Sequence, residues 1–122
     1  MEIEAAGKID ADIAVTKDDE FPDLPRFGVR MFLDKKLSAV RYFGMGPQES
    51  YCDKHQAASH GLYHANVDDL HEDYIRPQEN GSHYDCEYVE LNNSRYGIVA
   101  SAEKHFHSML LIIHRKNLRR NA

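Results

Sequence analysis

Apolar residues in this chain recur at every second position, and nowhere do they follow a helical spacing for ten residues or more. That alternation limits the fold more than any other feature, because side chains on a strand point to opposite faces in turn. In the segment from Ile3 to Lys17, residues Ile9, Ala11, Ile13 and Val15 share one parity, and Lys8, Asp10 and Asp12 take the other. This predicts a half-buried strand. The acids and two prolines of Lys17 to Pro25 read as a connection. Phe27, Val29, Met31 and Leu33 then alternate against Gly28, Arg30 and Asp34, predicting a second strand. Asp34-Lys35-Lys36 reads as a turn, and Leu37 to Phe43 as a third strand that closes a hairpin with the second.

Further strands are expected at His83 to Leu91 and at Tyr96 to Glu103, with a turn at Asn92-Asn93 between them. In the first of these, Tyr84, Cys86 and Tyr88 should share one face, and Asp85, Glu87 and Val89 the other. Lys54 to Ile75 carries only weak periodicity and reads as an ordered, irregular loop, with at most a turn or two of helix at Lys54 to His60. With no strand followed by a long helix, a parallel α/β sheet is excluded. The expected class is all-β, antiparallel. At 122 residues the chain has the length of one domain.

Two turns repeat the same chemistry. Tyr42 to Asp53 reads YFGMGPQESYCD, and Arg76 to Gly81 reads RPQENG. Each places Pro-Gln-Glu after an apolar stretch. The first surrounds Gln48, Glu49, Tyr51 and Asp53 with turn-forming residues. Gly44 and Gly46 suit positions where the backbone turns without a Cβ. From the residues alone this cluster suits an active site or a structural corner equally, and Glu49 reads as either a pocket residue or a hydrogen-bond anchor.

Other chemistries are weaker. A net charge of −5 disfavours general nucleic-acid binding, which needs a basic face. Eight histidines invite a metal, but His55, His60, His64, His105 and His107 are scattered over segments of different kinds, so no metal site is expected. Glu49, Asp53, Glu72, Asp73 and Glu79 could in principle supply the paired carboxylates of glycoside hydrolysis, although the sequence converges no two of them. Cys52 and Cys86 form no Cys-x-x-Cys pair and are expected as buried or partly buried thiols, with a single bridge between them as the alternative. Exposed Tyr51, Tyr63 and Tyr74 would suit a sugar-stacking module, and half-buried anchors equally. The basic cluster Arg115 to Arg120 hints at a phosphate contact. There is no secretory leader and no apolar run of bilayer length. In an internal piece of a longer protein that would not fix the compartment, which stays open between cytoplasm and periplasm.

Three blocks in order carry a family resemblance: LPRFGVRMFL, VRYFGMGPQESYCDKHQAASHGLY and YIRPQENGSHYDCEYVELNN. Together they resemble the C-terminal domain of bacterial β-galactosidases of glycoside hydrolase family 2, which is also the separately encoded small chain of two-subunit forms. The match runs through Leu24 to Asn92 and more loosely to His105. The resemblance implies an antiparallel β-sandwich, the family's supersandwich, with complete domains about twice this length. It implies that the catalytic glutamates lie in a barrel domain outside this chain, so no catalytic residue is expected here. It places Gly46, Pro47, Gln48, Glu49, Ser50, Tyr51, Cys52 and Asp53 on a loop beside the sugar pocket, with Gly44, Pro77, Glu79 and Gly81 as structural turn residues.

No cofactor is expected in the chain; family members often use magnesium and sodium bound elsewhere. The implied partners are the remainder of a β-galactosidase polypeptide or its large subunit and a β-galactoside substrate. Self-association through edge strands is a further expectation; nucleic acid and membrane are not expected as partners. The alternative is a carbohydrate-binding or adaptor module. The family's stacking tryptophan has no counterpart, as the chain has no Trp. Residues 1–105 are read as a partial sandwich domain and 106–122 as an atypical tail. Back-translated and read one frame over, Phe106 to Asn121 can encode the family's usual continuation, so a one-base frame change near Lys104 to Phe106 is expected. Ser108 to His114 would then act as an adventitious edge strand.

Overall fold

The computed structural model describes residues 2–3, 7–22, 24, 26–76 and 79–110. The chain divides into two compact units, Met1–Met31 and Phe32–Ala122. The first holds a small antiparallel pair, β1 (Glu2–Ile3) with β2 (Ile9–Asp10). The second holds β3 (Ala39–Gly46), β4 (Ser59–Asn66), β5 (Ser82–Asn92) and β6 (Gly97–Met109). These form one antiparallel sheet in the order β4-β3-β5-β6. The chain is all-β and antiparallel, as a β-sandwich requires. Among the described residues no helix is long and apolar enough to cross a membrane.

The entry to β3 is a turn built by Asp34. Its carboxylate accepts the Lys36 amide at 3.0 Å, and its carbonyl accepts the Leu37 amide at 2.9 Å. The Lys36 amide and the Tyr96 hydroxyl, 3.1 Å away, hold the Asp34 carboxyl below its usual range. β3 then alternates as expected, with Val40, Tyr42, Gly44 and Gly46 turned inward. Across the sheet, Tyr42 sits opposite Tyr63 and Val89, and Val40 opposite Ala65 and Leu91. A short 3-10 turn, Val67–Leu70, follows β4 and adds both of its terminal residues to the core. Leu37, Val40, Tyr42, Val67, Leu70, Cys86, Val89 and Leu91 make that core.

Four expectations about the strands are corrected. Beyond β2, the Ile3-to-Lys17 strand does not form: residues 11–18 carry no strand, and Ile13 and Val15 are exposed. The Phe27-to-Leu33 strand is absent too, and with it the hairpin. β3 is a central strand whose two edges are taken by β4 and β5, leaving no edge for a third neighbour. The expected loop at Lys54 to Ile75 contains a full strand, β4. Its inward positions are Gly61, Tyr63 and Ala65, and its outward ones are Ser59, His60, His64, Asn66 and the exposed Leu62, so its alternation of polarity is weak. Lastly, Cys86 and Val89 are buried together in one core, although their spacing assigns them to opposite faces. The pairing of β5 with β6 shifts register between His83 and Cys86 and again before Tyr88, and Asp85 takes a φ of 57°. This is a bulge, which inserts residues and turns the strand over. Gly44 makes room for it, since a Cβ there would stand 2.8 Å from Cys86 Sγ and 3.0 Å from Cys86 Cα.

The turn after β5 forms as expected, with Asn93 Oδ1 accepting the Arg95 and Tyr96 amides. β6 is longer than expected and carries Phe106–Met109 into the sheet, with Ser108 opposite His83. The remaining tail, residues 111–122, lies outside the described residues, and with it most of the 106–122 stretch to which the frame-change reading applies. Both cysteines are free. Cys86 is buried as expected, and its thiol is pushed up by burial; Cys52 is exposed at the tip of a turn, against expectation.

Candidate functional site

Beyond the end of β3 the chain enters its first Pro-Gln-Glu turn through a cis Gly46-Pro47 bond. Ser50 pins this turn to the sheet. It is wholly buried. Its hydroxyl donates to the Met45 carbonyl at 3.0 Å and accepts the Tyr84 amide at 2.9 Å. Its own amide donates to the Ser82 carbonyl at 2.7 Å. Tyr51 and Lys54 close the far side with reciprocal backbone bonds of 2.9 and 3.1 Å. That leaves Cys52 and Asp53 exposed at the tip, and Pro47 and Gln48 exposed at the near end.

Glu49 is the centre of the arrangement, with a side chain only 5% exposed. One carboxylate oxygen accepts the Lys54 ammonium at 2.7 Å and the Tyr74 hydroxyl. The other accepts the Tyr51 hydroxyl and the Gly81 amide, each at 3.2 Å. The Gly81 bond joins this turn to the residue two places past the second Pro-Gln-Glu motif, 32 residues from Glu49. Gly81 sits at φ 65°, and a Cβ on it would meet the Leu70 carbonyl at 2.6 Å, so glycine is required there. Burial pushes the Glu49 carboxyl up, but the Lys54, Tyr74 and Gly81 hydrogen bonds outweigh it and hold the group below its ordinary range. The same bonds to Glu49 and Tyr74 raise the Lys54 ammonium well above its ordinary value. Burial first, and then the charge of Glu49, raise the Tyr51 phenol.

Beneath the turn, the Tyr42 hydroxyl donates to the Pro47 carbonyl at 3.4 Å. His83 stacks on the Tyr42 ring at 4.2 Å and donates Nδ1 to the Met45 carbonyl at 3.4 Å. His83 is 2% exposed, its Nε2 has no hydrogen-bond partner, and burial lowers its pKa.

Chemically this is a clamp. All four neighbours of the Glu49 carboxylate are donors, and none is a second carboxylate. Glu49 is therefore held ionised with its lone pairs occupied, which does not suit a general acid working near neutral pH. Asp53, Glu72, Asp73 and Glu79 are all exposed and do not converge on it. Of the tyrosines offered for sugar stacking, Tyr63 packs against Tyr42 at 5.4 Å, while Tyr51 and Tyr74 commit their hydroxyls to Glu49. No group of three His, Cys, Asp or Glu among the described residues is placed to hold a metal ion.

Of the sequence-predicted residues, Gly46, Glu49, Ser50, Tyr51 and Gly81 come together. Gly44 serves the β5 bulge instead. Pro77 lies outside the described residues, and Glu79 is exposed. Lys54, Asn80 and His83 were missed, as was the role of Tyr74. The Asn80 side chain bonds both the amide and the carbonyl of Glu72, which anchors the residue next to Gly81. The doubled Pro-Gln-Glu motif was the one sequence signal that the two turns belong together.

The sequence model of the family described as "Beta galactosidase small chain" matches residues 1–121. The chain belongs to the β-galactosidase small-chain family. A β-galactosidase of Actinobacillus pleuropneumoniae is 51% identical over 87 residues, covering 71% of this chain and 9% of that protein. One of Vibrio cholerae serotype O1 is 35% identical over 103 residues, covering 84% of this chain and 10% of the relative. One of Staphylococcus xylosus is 33% identical over 104 residues, covering 85% and 10%. The small-chain region thus spans about a tenth of the length of these relatives and corresponds to part of a larger polypeptide.

Proposed function

We propose that this chain is part of a β-galactosidase that hydrolyses terminal β-D-galactosides of the lactose type, and that its Gly46-to-Asp53 loop forms a wall of the sugar pocket. The 51% identity to a β-galactosidase carries this reading. The fixed turn supports it, because a pocket wall must hold its shape without substrate. Pro47, Gln48, Cys52 and Asp53 are the exposed members of the loop and face solvent or substrate. Glu49, Ser50 and Tyr51 hold it in place.

The chain works with the remainder of the polypeptide or a large subunit, which supplies the two reacting carboxylates. Any magnesium or sodium the parent enzyme uses binds there as well. The exposed edges of β4 and β6 offer a route to self-association. The chain alone turns over no chromogenic galactoside, whereas co-expression with the missing portion restores hydrolysis. Turnover by the pure chain, or failure of the co-expressed pair to bind and hydrolyse, contradicts the proposal.

A further inference from the structure

His83 sits where the fastenings of the Gly46-to-Asp53 loop meet. Ser50 grips the residues on either side of it, accepting the Tyr84 amide at 2.9 Å and giving its own amide to the Ser82 carbonyl at 2.7 Å. The Met45 carbonyl is shared between the Ser50 hydroxyl at 3.0 Å and His83 Nδ1 at 3.4 Å. Tyr42, stacked on the imidazole at 4.2 Å, carries its hydroxyl to the Pro47 carbonyl. Gly81, two residues before His83, gives its amide to Glu49. A shift of this one side chain therefore disturbs the loop at Met45, Pro47 and Ser50 together.

The site suits one charge state of the ring. A carbonyl only accepts, so Nδ1 donates to Met45, and neutral His83 keeps its lone pair on Nε2, buried without a hydrogen-bond partner. A proton added there makes a buried cation whose new N–H has no acceptor, which costs more than an unmet lone pair. Tyr42 faces the ring from β3, and burial pushes its phenol far above the ordinary range. Glu49 faces it from the loop, but its charge favours the cation less than burial opposes it. Within β5, the Cys86 thiol donates to the His83 backbone carbonyl at 3.4 Å, and Ser108 is the register partner from β6. His83 therefore gains a proton more readily by leaving this site than by staying in it.

We propose that His83 is an acid-operated latch: neutral, it fastens the Gly46-to-Asp53 loop to the sheet, and on gaining a proton at Nε2 it swings out and frees the loop while the sheet stays folded. What the freed loop does to a sugar pocket rests on the reading above. The latch itself is a property of this chain, so its failure leaves that reading standing. Once out, His83 titrates near its ordinary 6.5, so the open fraction should grow about fivefold to tenfold between pH 7.5 and 5.5.

Hydrogen exchange on the full chain, corrected for intrinsic rates and repeated in low denaturant, reads the latch amide by amide. The Ser50, Gly81 and Tyr84 amides, protected near pH 7.5, should open about fivefold to tenfold more often at pH 5.5. That opening should hardly respond to denaturant, because it exposes little surface, whereas opening at Val89 should follow global unfolding and respond strongly. Side-chain nitrogen NMR of His83 should show the Nδ1–H tautomer at neutral pH. His83→Gln should abolish the pH step at the three amides. His55→Gln should keep it, although His55 also touches the loop, at the Tyr51 carbonyl 3.0 Å away. Loop amides that open only together with Val89, with the same denaturant response, overturn the latch. A flat pH profile at the loop, an Nε2–H tautomer, or a step that vanishes in His55→Gln overturns it as well. Should His83→Gln fail to fold, the tautomer and the exchange profile of the unaltered chain decide the matter by the same outcomes.

Discussion

The Ile9-to-Val15 and Phe27-to-Leu33 stretches and strand β3 have similar alternating patterns and opposite fates. Val40 and Tyr42 are 3% and 1% exposed, whereas Val29 and Phe32 are 67% and 77% exposed. Hydrophobicity does not separate them. What separates them is hydrogen-bonding neighbours. β3 has a strand on each side, so its alternate residues reach a common core. Past β2, the earlier segment pairs with no strand among the described residues, and alternation without a paired strand buries nothing. A strand's pattern specifies the face it would bury, and its partners decide whether burial happens.

Substitutions sharpen that contrast. The largest effect is expected from Tyr42→Ala, which removes a core ring together with its contacts to Tyr63, His83 and Pro47. It should cost about 3–5 kcal/mol in denaturant unfolding. Next is Glu49→Gln, which turns an NH2 group toward donors and strips charge from the bonds that join the two turns. It should cost about 1.5–3 kcal/mol and speed exchange at the Gly81 amide.

A smaller effect concerns pH. Because the buried His83 titrates below its ordinary 6.5, the unfolded chain binds its proton first as the solution is acidified. This stability is complete above about pH 6.5 and falls as pH drops toward the depressed folded value. The charged or titratable groups around the ring are Tyr42 from β3 and Glu49 from the loop. His83→Phe should remove that step. The Glu49 contribution should survive to lower pH, since it is lost only below the ordinary carboxyl value of 4.5. Unfolding midpoints measured between pH 2 and 8 check both signs. The smallest effect is Ile13→Ser, expected within about 0.5 kcal/mol for the isolated chain because the side chain is already in solvent.

Much of the second unit was readable from sequence. β3, β5, the Asp34 turn and the Asn93 turn announce themselves through alternation and turn residues, and the paired Pro-Gln-Glu motifs mark the site. β4 was hidden because a glycine, a tyrosine and an alanine line its inner face while histidines line the outer one. The β5 bulge was hidden because pattern reading assumes an unbroken period of two. Lys54 and Tyr74 were missed as Glu49 partners because the contact spans 25 residues in the case of Tyr74, and no local pattern encodes such a contact. The strands expected before Leu33 were read from a pattern that is present, but pairing is a property of neighbours and not of the segment.

Residue-resolved hydrogen exchange on the chain alone compares the two regions in one experiment. The amides of Tyr42, Ser50, Gly81 and Val89 should be strongly protected, while those of residues 11–15 and 27–33 should exchange at nearly unstructured rates. Protection of 11–15 and 27–33 matching that of β3 would contradict the contrast, and rapid exchange at Ser50 and Gly81 would contradict the clamp.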